Sequence, residues 1–234
     1  MSAGLLVAAG AVVAAVVGII AYLGDKKRRE QLMAYALNRG WRYVAEDPSL
    51  VHRWTGEPFG RGDHQRARTV LTGTEAGRAF TAFEYSYQTH TTSSKGTRST
   101  TTHRWTVCVV PMPAWLGTVQ VVPESVVDRF TGAVGLTTDI DLESEAFNRR
   151  FRVSAGSAKL ASDILPPRTM EYLVAVGAEG WRTSGSDLIG FAEGRLDPAE
   201  VVRTCAVLDR VLDGVPSFVW KDAGASGTGY SPEP

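Results

Sequence analysis

The central segment of the chain reads Arg78-Ala79-Phe80-Thr81-Ala82-Phe83-Glu84-Tyr85-Ser86-Tyr87-Gln88. In an extended chain successive side chains point to opposite faces, so Phe83, Tyr85 and Tyr87 share one face. The other face carries a mixed set of side chains: Phe80, Ala82, Glu84 and Ser86. Antiparallel sheets commonly bury one face and leave the other in water. The segment therefore predicts a half-buried strand of an antiparallel sheet.

The segments on either side of residues 78–88 also have strand character. β-Branched and aromatic residues cluster at 67–73 and at 103–110, and Glu75-Ala76-Gly77 predicts the hairpin turn that precedes residue 78. The polar run at 90–102 predicts a mobile hairpin tip. Lys95 and Arg98 in this run are candidate contacts for an anion such as phosphate, and the alternative is a solvated loop.

The remaining elements are shorter strands and two well-marked helices. Strands are predicted at 41–44, 118–122, 180–183 and 187–192. Proline at a helix start predicts a helix from Pro166 to Gly177. A second helix is predicted to begin after Asp197, which is a favourable N-cap with proline following it. Its apolar stripe consists of Val201, Cys205, Leu208, Val211 and Leu212.

The N-terminus has the pattern of a membrane anchor. Residues 3–23 carry no charge, and the basic cluster Lys26, Lys27, Arg28 and Arg29 follows. As a helix this stretch spans about 32 Å, enough for a hydrocarbon core of about 30 Å. A cleaved signal peptide is the competing interpretation, but no basic residue precedes the run and the exit lacks a small-x-small site.

Basic residues on the C-terminal flank alone predict a single-pass protein of the cell membrane, with its N-terminus outside and its body in the cytoplasm. An extracytoplasmic body behind the same anchor is the weaker alternative. Gly10, Ala14 and Gly18 repeat every four residues, a spacing that lets two membrane helices approach closely. A homodimer formed through this face is therefore one possible assembly, and binding of a separate protein partner is another.

The predicted fold class is α+β, with one N-terminal transmembrane helix followed by a soluble body of mainly antiparallel sheet and a few packed helices. The predicted divisions are a transmembrane anchor at 1–24, a juxtamembrane basic helix at 25–40, a soluble body at 41–222 and a disordered tail at 223–234. The body is β-rich over 41–153 and mixed over 154–222.

Composition and motifs exclude several function classes. The 25 basic and 25 acidic residues cancel, which argues against a nucleic-acid partner. Cys108 and Cys205 lie in apolar patterns and are interpreted as small buried residues rather than as a bridge or a nucleophile. No nucleophile-elbow, zinc-protease, Walker or dinucleotide motif is present, so no catalytic residue, metal or cofactor is predicted.

Two weaker patterns leave alternatives open. The alternating acids of 139–145 could form a calcium or magnesium cluster, although they lack the EF-hand pattern, and the alternative is a solvated strand edge. His64 beside Asp63 is the one histidine and carboxylate combination worth mutating, and the alternative is an ordinary surface pair.

Several segments resemble an uncharacterised bacterial family of membrane-anchored proteins, a domain of unknown function. They are 141–153, 164–166, 170–173, 40–43 and 218–220. The resemblance covers most of the soluble body and implies an anchored, bacterial protein of mixed α and β structure. It implies no activity and no catalytic residue.

Two functions fit these patterns. The first is a single-pass membrane-anchored protein whose cytoplasmic body is a binding or scaffolding module. The second is a membrane-tethered enzyme, a hydrolase or transferase, whose active site is assembled from residues distant in sequence. A concave pocket with convergent polar groups would favour the enzyme, and an exposed aromatic sheet face would favour partner binding.

Overall fold

A nine-stranded sheet is the main element of the computed structural model, in the order β1-β2-β3-β4-β9-β8-β5-β7-β6. The structure describes residues 3–93, 96–125, 137–138 and 140–225, without the side chains of 3–15, 17, 21, 137 and 138. Contacts divide the chain into two units, Met1–Tyr43 and Val44–Pro234. The strands are β1 Arg42–Glu46, β2 Asp63–Glu75, β3 Arg78–Thr92, β4 Arg98–Pro111, β5 Val119–Pro123, β6 Thr137–Thr138, β7 Phe151–Ala155, β8 Gly180–Ser184 and β9 Asp187–Glu193.

The helices of the described residues lie mainly in the second half of the chain. They are α1 Ala3–Asn38, α2 Glu145–Asn148, α3 Ala158–Ile164, α4 Pro167–Val176, α5 Pro198–Gly214 and α6 Ser217–Asp222. Each strand pair whose register is defined is antiparallel.

The first unit consists of α1 and the residues just after it. Gly40 has a φ of 71°, and Trp41 donates its backbone N–H to the Ala36 carbonyl at 2.8 Å, which closes the end of the helix. The Arg39 guanidinium lies over the rings of Tyr35 and Trp41, 5.7 and 5.4 Å from their centroids.

The predicted fold class is wrong in giving the chain a transmembrane helix. Within the described residues, no helix combines the length and apolar character that a bilayer crossing requires. The described side chains of α1 include the charged run from Asp25 to Glu30, in which six consecutive residues are ionisable. The predicted transmembrane helix rests on the apolar run at 3–23. For residues 3–15 of this run the structure describes the helix but not the side chains. The fold is instead defined by the antiparallel sheet.

The predicted hairpin turn at 75–77 is confirmed, and the extent of the predicted hairpin tip, 90–102, is wrong. Ala76 and Gly77 have φ values of 50° and 83°, as a two-residue turn with two left-handed positions requires. At the other end of β3, pairing continues to Thr92 opposite Arg98, so little of the polar run is loop. The reason is that threonines have high strand propensity and pair across the ladder, as Thr100 Oγ1 does with His90 Nδ1 at 2.9 Å.

One face of the sheet is covered by the loop between β1 and β2. The Trp54 ring stacks on Phe83 with centroids 5.8 Å apart, and Phe59 meets Tyr85 edge-on at 4.9 Å. All four rings are buried, together with neighbours on β4 and β9 that share this face. The odd-numbered aromatic side chains of β3 therefore form a core, as their alternation predicts.

Arg182 of β8 fixes the same loop from inside the protein. Its side chain is buried, and its Nη2 donates to the carbonyls of Thr55 and Gly56. Burial lowers the pKa of this guanidinium to about 10. Next to it, Thr183 Oγ1 donates to the Gly117 carbonyl at 2.6 Å and accepts from the Val119 backbone N–H at 2.8 Å. These bonds hold the loop and β5 against β8.

Helix α5 covers the opposite face, where small residues let it approach. Ala82, Cys108 and Gly190 lie side by side on β3, β4 and β9. A Cβ on Gly190 would lie 2.5 Å from Thr204 Cγ2 of α5, so the helix backbone and the sheet are in close contact there.

The two predicted C-terminal helices are confirmed. Asp197 accepts a hydrogen bond from the Ala199 backbone N–H at 2.8 Å at the start of α5, and its predicted apolar stripe is buried. Helix α4 ends at Gly177, whose φ is 61°.

Candidate binding cavity

A cavity of about 210 Å³ lies between α4, α5 and strands β8 and β9. Tyr172 and Val176 of α4 contribute one wall, and Val207 of α5 contributes another. Trp181 of β8 also lines the cavity, although its side chain is only 1% exposed. Val176, at 48% exposed, lies closer to solvent. The cavity thus runs from the protein surface to a buried aromatic ring.

The connection between α4 and β8 forms part of the cavity lining. The left-handed Gly177 turns the backbone, and three residues later Gly180 begins β8. Gly180 lies against the Phe191 ring, where a Cβ would be 2.4 Å from Cε2, so only glycine fits without displacement. This short connection lies at the base of α4, and residues of α4, α5, β8 and β9 line the cavity together with it.

The polar groups of the cavity are few and belong mainly to α5. Glu200 and Arg203 form an ion pair one turn apart, and the Arg203 side chain is 74% exposed. The Arg210 guanidinium lies 5.8 Å from the centroid of Tyr172. The Trp181 indole N–H is buried and has no acceptor among the described residues. The arrangement is an apolar recess with a charged rim.

A second, more open groove of about 380 Å³ shares the segment 177–179 with this cavity. Its charged lining residues are Glu124, Arg149, Arg150 and Glu179. Glu124 is already engaged by Arg152, whose Nη2 donates to Glu124 Oε1 at 2.7 Å. Both signs of charge are present, so the groove does not select an anion or a cation by net charge alone.

A buried polar cluster lies beneath α5. Cys108 Sγ and Cys205 Sγ are 3.3 Å apart, and both thiols are free. The hydrogen bond with Cys205, and then burial, raise the pKa of Cys108 well above its usual value. Asp209, one turn after Cys205, lies 3.4 Å from Arg78 Nη1, and Arg78 also contacts Asp213 at 2.6 Å.

Burial raises the pKa of Asp209 from 3.8 to about 6, against the opposing effect of Arg78. The folded protein therefore holds this proton more tightly than the unfolded chain does. The resulting stabilisation is complete below pH 3.8 and is lost as the pH rises through 6. Asp213 and Glu75 also lie near enough to raise the pKa of Asp209.

The structure places the predicted basic and small residues outside the cavity lining. Lys26, Lys27, Arg28 and Arg29 lie on α1, and Lys26 approaches Glu30 at 4.0 Å. Gly18 is exposed on the same helix, whereas Gly10 and Ala14 lie outside the described side chains. Their roles as a membrane flank and a dimer face stay predictions.

The predicted anion-contact residues are only partly described. Arg98 is the exposed first residue of β4, and Lys95 lies outside the described residues. Of the acidic run at 139–145, residue 139 is also outside, and no group of three metal-ligating side chains occurs among the described residues. Asp63 Oδ2 lies 3.7 Å from His90 Nε2, so the carboxylate is near a histidine other than its sequence neighbour His64.

Sequence reasoning missed the cavity because its lining comes from three segments between 172 and 208. One pattern could have indicated it. Tyr172 and Val176 are spaced i, i+4 on α4 but fall outside the buried stripe of Met170 and Leu173. Apolar residues off the buried stripe of an amphipathic helix indicate a second, incompletely covered surface.

The fold resembles that of a solved transport protein. No protein-family model matches the chain, and no curated protein matches it significantly. The crystal structure of the mycobacterial trehalose monomycolate transport factor A, TtfA, matches with a TM-score of 0.58 at 14% sequence identity. The match covers 80% of this chain and 96% of that chain. At this identity the likeness shows a shared fold.

Proposed function

We propose that this protein is a binding or scaffolding module with an accessory role in transport. The observation that carries the proposal is the likeness of its fold to the mycobacterial trehalose monomycolate transport factor, which spans nearly the whole of that chain. A shared fold does not determine a function by itself, so the site must indicate what is bound. The cavity between α4 and α5 supplies that argument.

The size of the cavity favours a protein side chain over a whole glycolipid. Sites for drug-sized ligands occupy about 300–1,000 Å³, and a cavity of about 150 Å³ holds one benzene. At about 210 Å³, this cavity has room for a group of about one aromatic ring. Trehalose monomycolate is a sugar with a long acyl chain and is far too large for it. The volume therefore supports docking of a partner protein rather than carriage of lipid.

The lining suits an apolar anchor residue of a partner. Tyr172, Val176 and Trp181 provide apolar contact area, while Glu200 and Arg203 provide a polar rim. Binding energy at protein interfaces concentrates where an aromatic or aliphatic anchor fills such a recess and polar residues around it exclude water. We expect the partner to present an exposed aromatic or long aliphatic side chain.

The test is photo-crosslinking in cells of the native host, with a benzophenone amino acid at Val176. We expect one prominent crosslinked protein, which is absent when the same amino acid replaces Trp115, an exposed residue outside the cavity lining. Filling the recess with Val207→Trp should abolish the crosslink. Val202→Trp is the matched control, because Val202 is a half-buried α5 residue outside the lining.

Three outcomes would contradict the proposal. Equal crosslinking from Val176 and Trp115 would mean that the cavity is not the docking site. Native mass spectrometry could instead show one small molecule bound per chain of the wild-type protein and none bound to Val207→Trp. That result would mean that the protein carries a small molecule in the cavity. Turnover of such a molecule by the purified chain would favour the alternative of a hydrolase or transferase. Location at the cell membrane, topology and family membership stay predictions.

A further inference from the structure

The two cysteines of the chain meet in the core although 97 residues separate them. Cys108 lies on β4 and Cys205 on α5, and their sulfur atoms are 3.3 Å apart. Their exposed fractions are 0% and 1%. Two thiols in a protein with only two cysteines would rarely meet by chance inside a core of this size.

The backbone around the thiols is arranged for close approach. Cys108 has Ala82 and Gly190 as its neighbours on the adjacent strands, so no large side chain holds α5 away from the sheet. Thr204, next to Cys205 in sequence, contacts the Gly190 backbone position. The helix thus lies close enough to the sheet for the two sulfur atoms to be in contact, 3.3 Å apart.

We infer that Cys108 and Cys205 are a modification site, at which an intramolecular disulfide joins β4 to α5. A disulfide bond is about 2.05 Å long, so the sulfur atoms must approach by roughly 1.2 Å. A rotation of the two side chains supplies such a movement. A structural zinc site is disfavoured, because two thiolates make only half of its ligands and no third ligand accompanies them among the described residues.

The oxidant is a disulfide, either a small molecule such as glutathione disulfide or a disulfide-exchange protein. One cysteine, as the thiolate, attacks a sulfur of the oxidant and displaces the first thiolate, which takes up the proton the cysteine lost. The second cysteine then attacks the mixed disulfide, forms the Cys108–Cys205 bond and releases the second thiol. The two cysteines lose two electrons and two protons, and the oxidant gains both.

Burial determines when this exchange occurs. The raised pKa of Cys108 keeps it as the unreactive thiol in the folded protein. Exchange therefore requires α5 to lift from the sheet, or it takes place before α5 docks during folding. Once formed, the bond holds α5 in place, and residues 200–208 of this helix form one wall of the cavity. Oxidation thus fixes this wall of the cavity.

The experiment uses the reduced full-length chain. It is unfolded in urea, refolded in a buffer of reduced and oxidised glutathione, and analysed by intact mass and by peptide mapping. We expect a monomer that has lost two hydrogen atoms and contains a peptide linking residues 108 and 205. Amide exchange in α5 should be at least about tenfold slower than in the reduced protein. Cys205→Ser is the control, in which no linked peptide forms and α5 exchange is the same in the reducing and the oxidising buffer.

Two results would overturn the inference. The first is a refolded wild-type chain that keeps two free thiols, or carries glutathione on them, in a buffer oxidising enough to link an exposed dithiol. The second is a disulfide between two chains instead of within one. Because the wild-type chain itself is tested, failure of a variant to fold does not affect either result.

Discussion

Gly190→Ala tests whether contact between α5 and the sheet controls the stability of the fold. The added Cβ would lie 2.5 Å from Thr204 Cγ2 and 3.4 Å from Leu208 Cδ2. The first distance is far below a normal contact between carbon atoms, which is about 3.5–4.0 Å, and the second is close to normal. The Thr204 methyl is therefore the group that must move, and the helix backbone must move with it.

The expected loss follows from the cost of overpacking a core. Inserting one methyl group into a well-packed site destabilises a protein by about 1–3 kcal/mol. Glycine inside a strand is otherwise a disadvantage of roughly 0.5–1 kcal/mol relative to alanine, which offsets part of that cost. We expect Gly190→Ala to lower the free energy of unfolding by about 1–2 kcal/mol.

The assay is urea unfolding followed by tryptophan fluorescence, with the free energies of single and double variants compared. Thr204→Ser removes only the obstructing methyl and keeps the hydroxyl, at a cost of about 1 kcal/mol. In Gly190→Ala/Thr204→Ser the new methyl occupies the vacated space. The double variant should be at least about 1 kcal/mol more stable than the sum of the single effects predicts.

Gly156→Ala is the matched control, because nothing lies within 4 Å of its Cβ position and its φ is not in the left-handed region. It should leave the stability within about 0.5 kcal/mol of the wild type or raise it slightly. Additive effects at 190 and 204, or equal stability of Gly190→Ala and Gly156→Ala, would refute the close contact between α5 and β9.

Three further substitutions probe the groups that hold the layers together. Arg182→Met removes the donor to two loop carbonyls, and we expect a loss of about 2 kcal/mol in urea unfolding and faster proteolysis within 55–62. Thr183→Val removes the hydroxyl that holds β5 and should cost about 1–2 kcal/mol in the same assay. Asp209→Asn should abolish the fall in stability between pH 3.8 and 6, which is on the order of 3 kcal/mol, measured as the difference from wild type at each pH.

Each of these predictions has a control or a contrary result. Thr183→Ser keeps the hydroxyl and should remain more stable than Thr183→Val. Unchanged proteolysis in Arg182→Met would mean that aromatic packing alone holds the loop. A wild-type protein that gains stability relative to Asp209→Asn as the pH rises to 6 would have the opposite linkage, with a lowered pKa for Asp209.

Local patterns predicted most elements because short-range physics determines them. The Asp197 cap and the proline after it fix the start of α5, and the two left-handed positions at Ala76 and Gly77 fix the hairpin. The alternation in β3 gives its buried aromatic face directly. In each case the residues that specify the element are adjacent in sequence, so no tertiary contact is needed to interpret them.

The wrong predictions arose where distant contacts or context changed the outcome. Polar residues at 90–92 and 98–102 were interpreted as loop, yet cross-strand pairing makes them strand. The sequence predicts that Cys108 and Cys205 are each buried, and this is confirmed. It does not predict their contact, because that depends on how α5 packs on β4. The transmembrane helix is inferred from the uncharged run at 3–23 and its basic flank, and no helix of the described residues is long and apolar enough to span a membrane. The cavity combines three segments between 172 and 208, and its only local signal is the pair Tyr172 and Val176 off the buried stripe of α4.

Helix α5 takes part in the sheet contact at Gly190, the buried thiol pair and the cavity. It contacts the sheet at Gly190, carries one thiol of the buried pair and Asp209, and provides one wall of the cavity. A change that loosens its docking must therefore widen the cavity and expose the thiols together. Gly190→Ala should then react faster with glutathione disulfide and crosslink less to a partner through Val176, and Thr204→Ser should restore both. If stability and thiol reactivity change while the crosslink does not, the cavity wall is independent of α5 docking and the proposed partner contacts α4 alone.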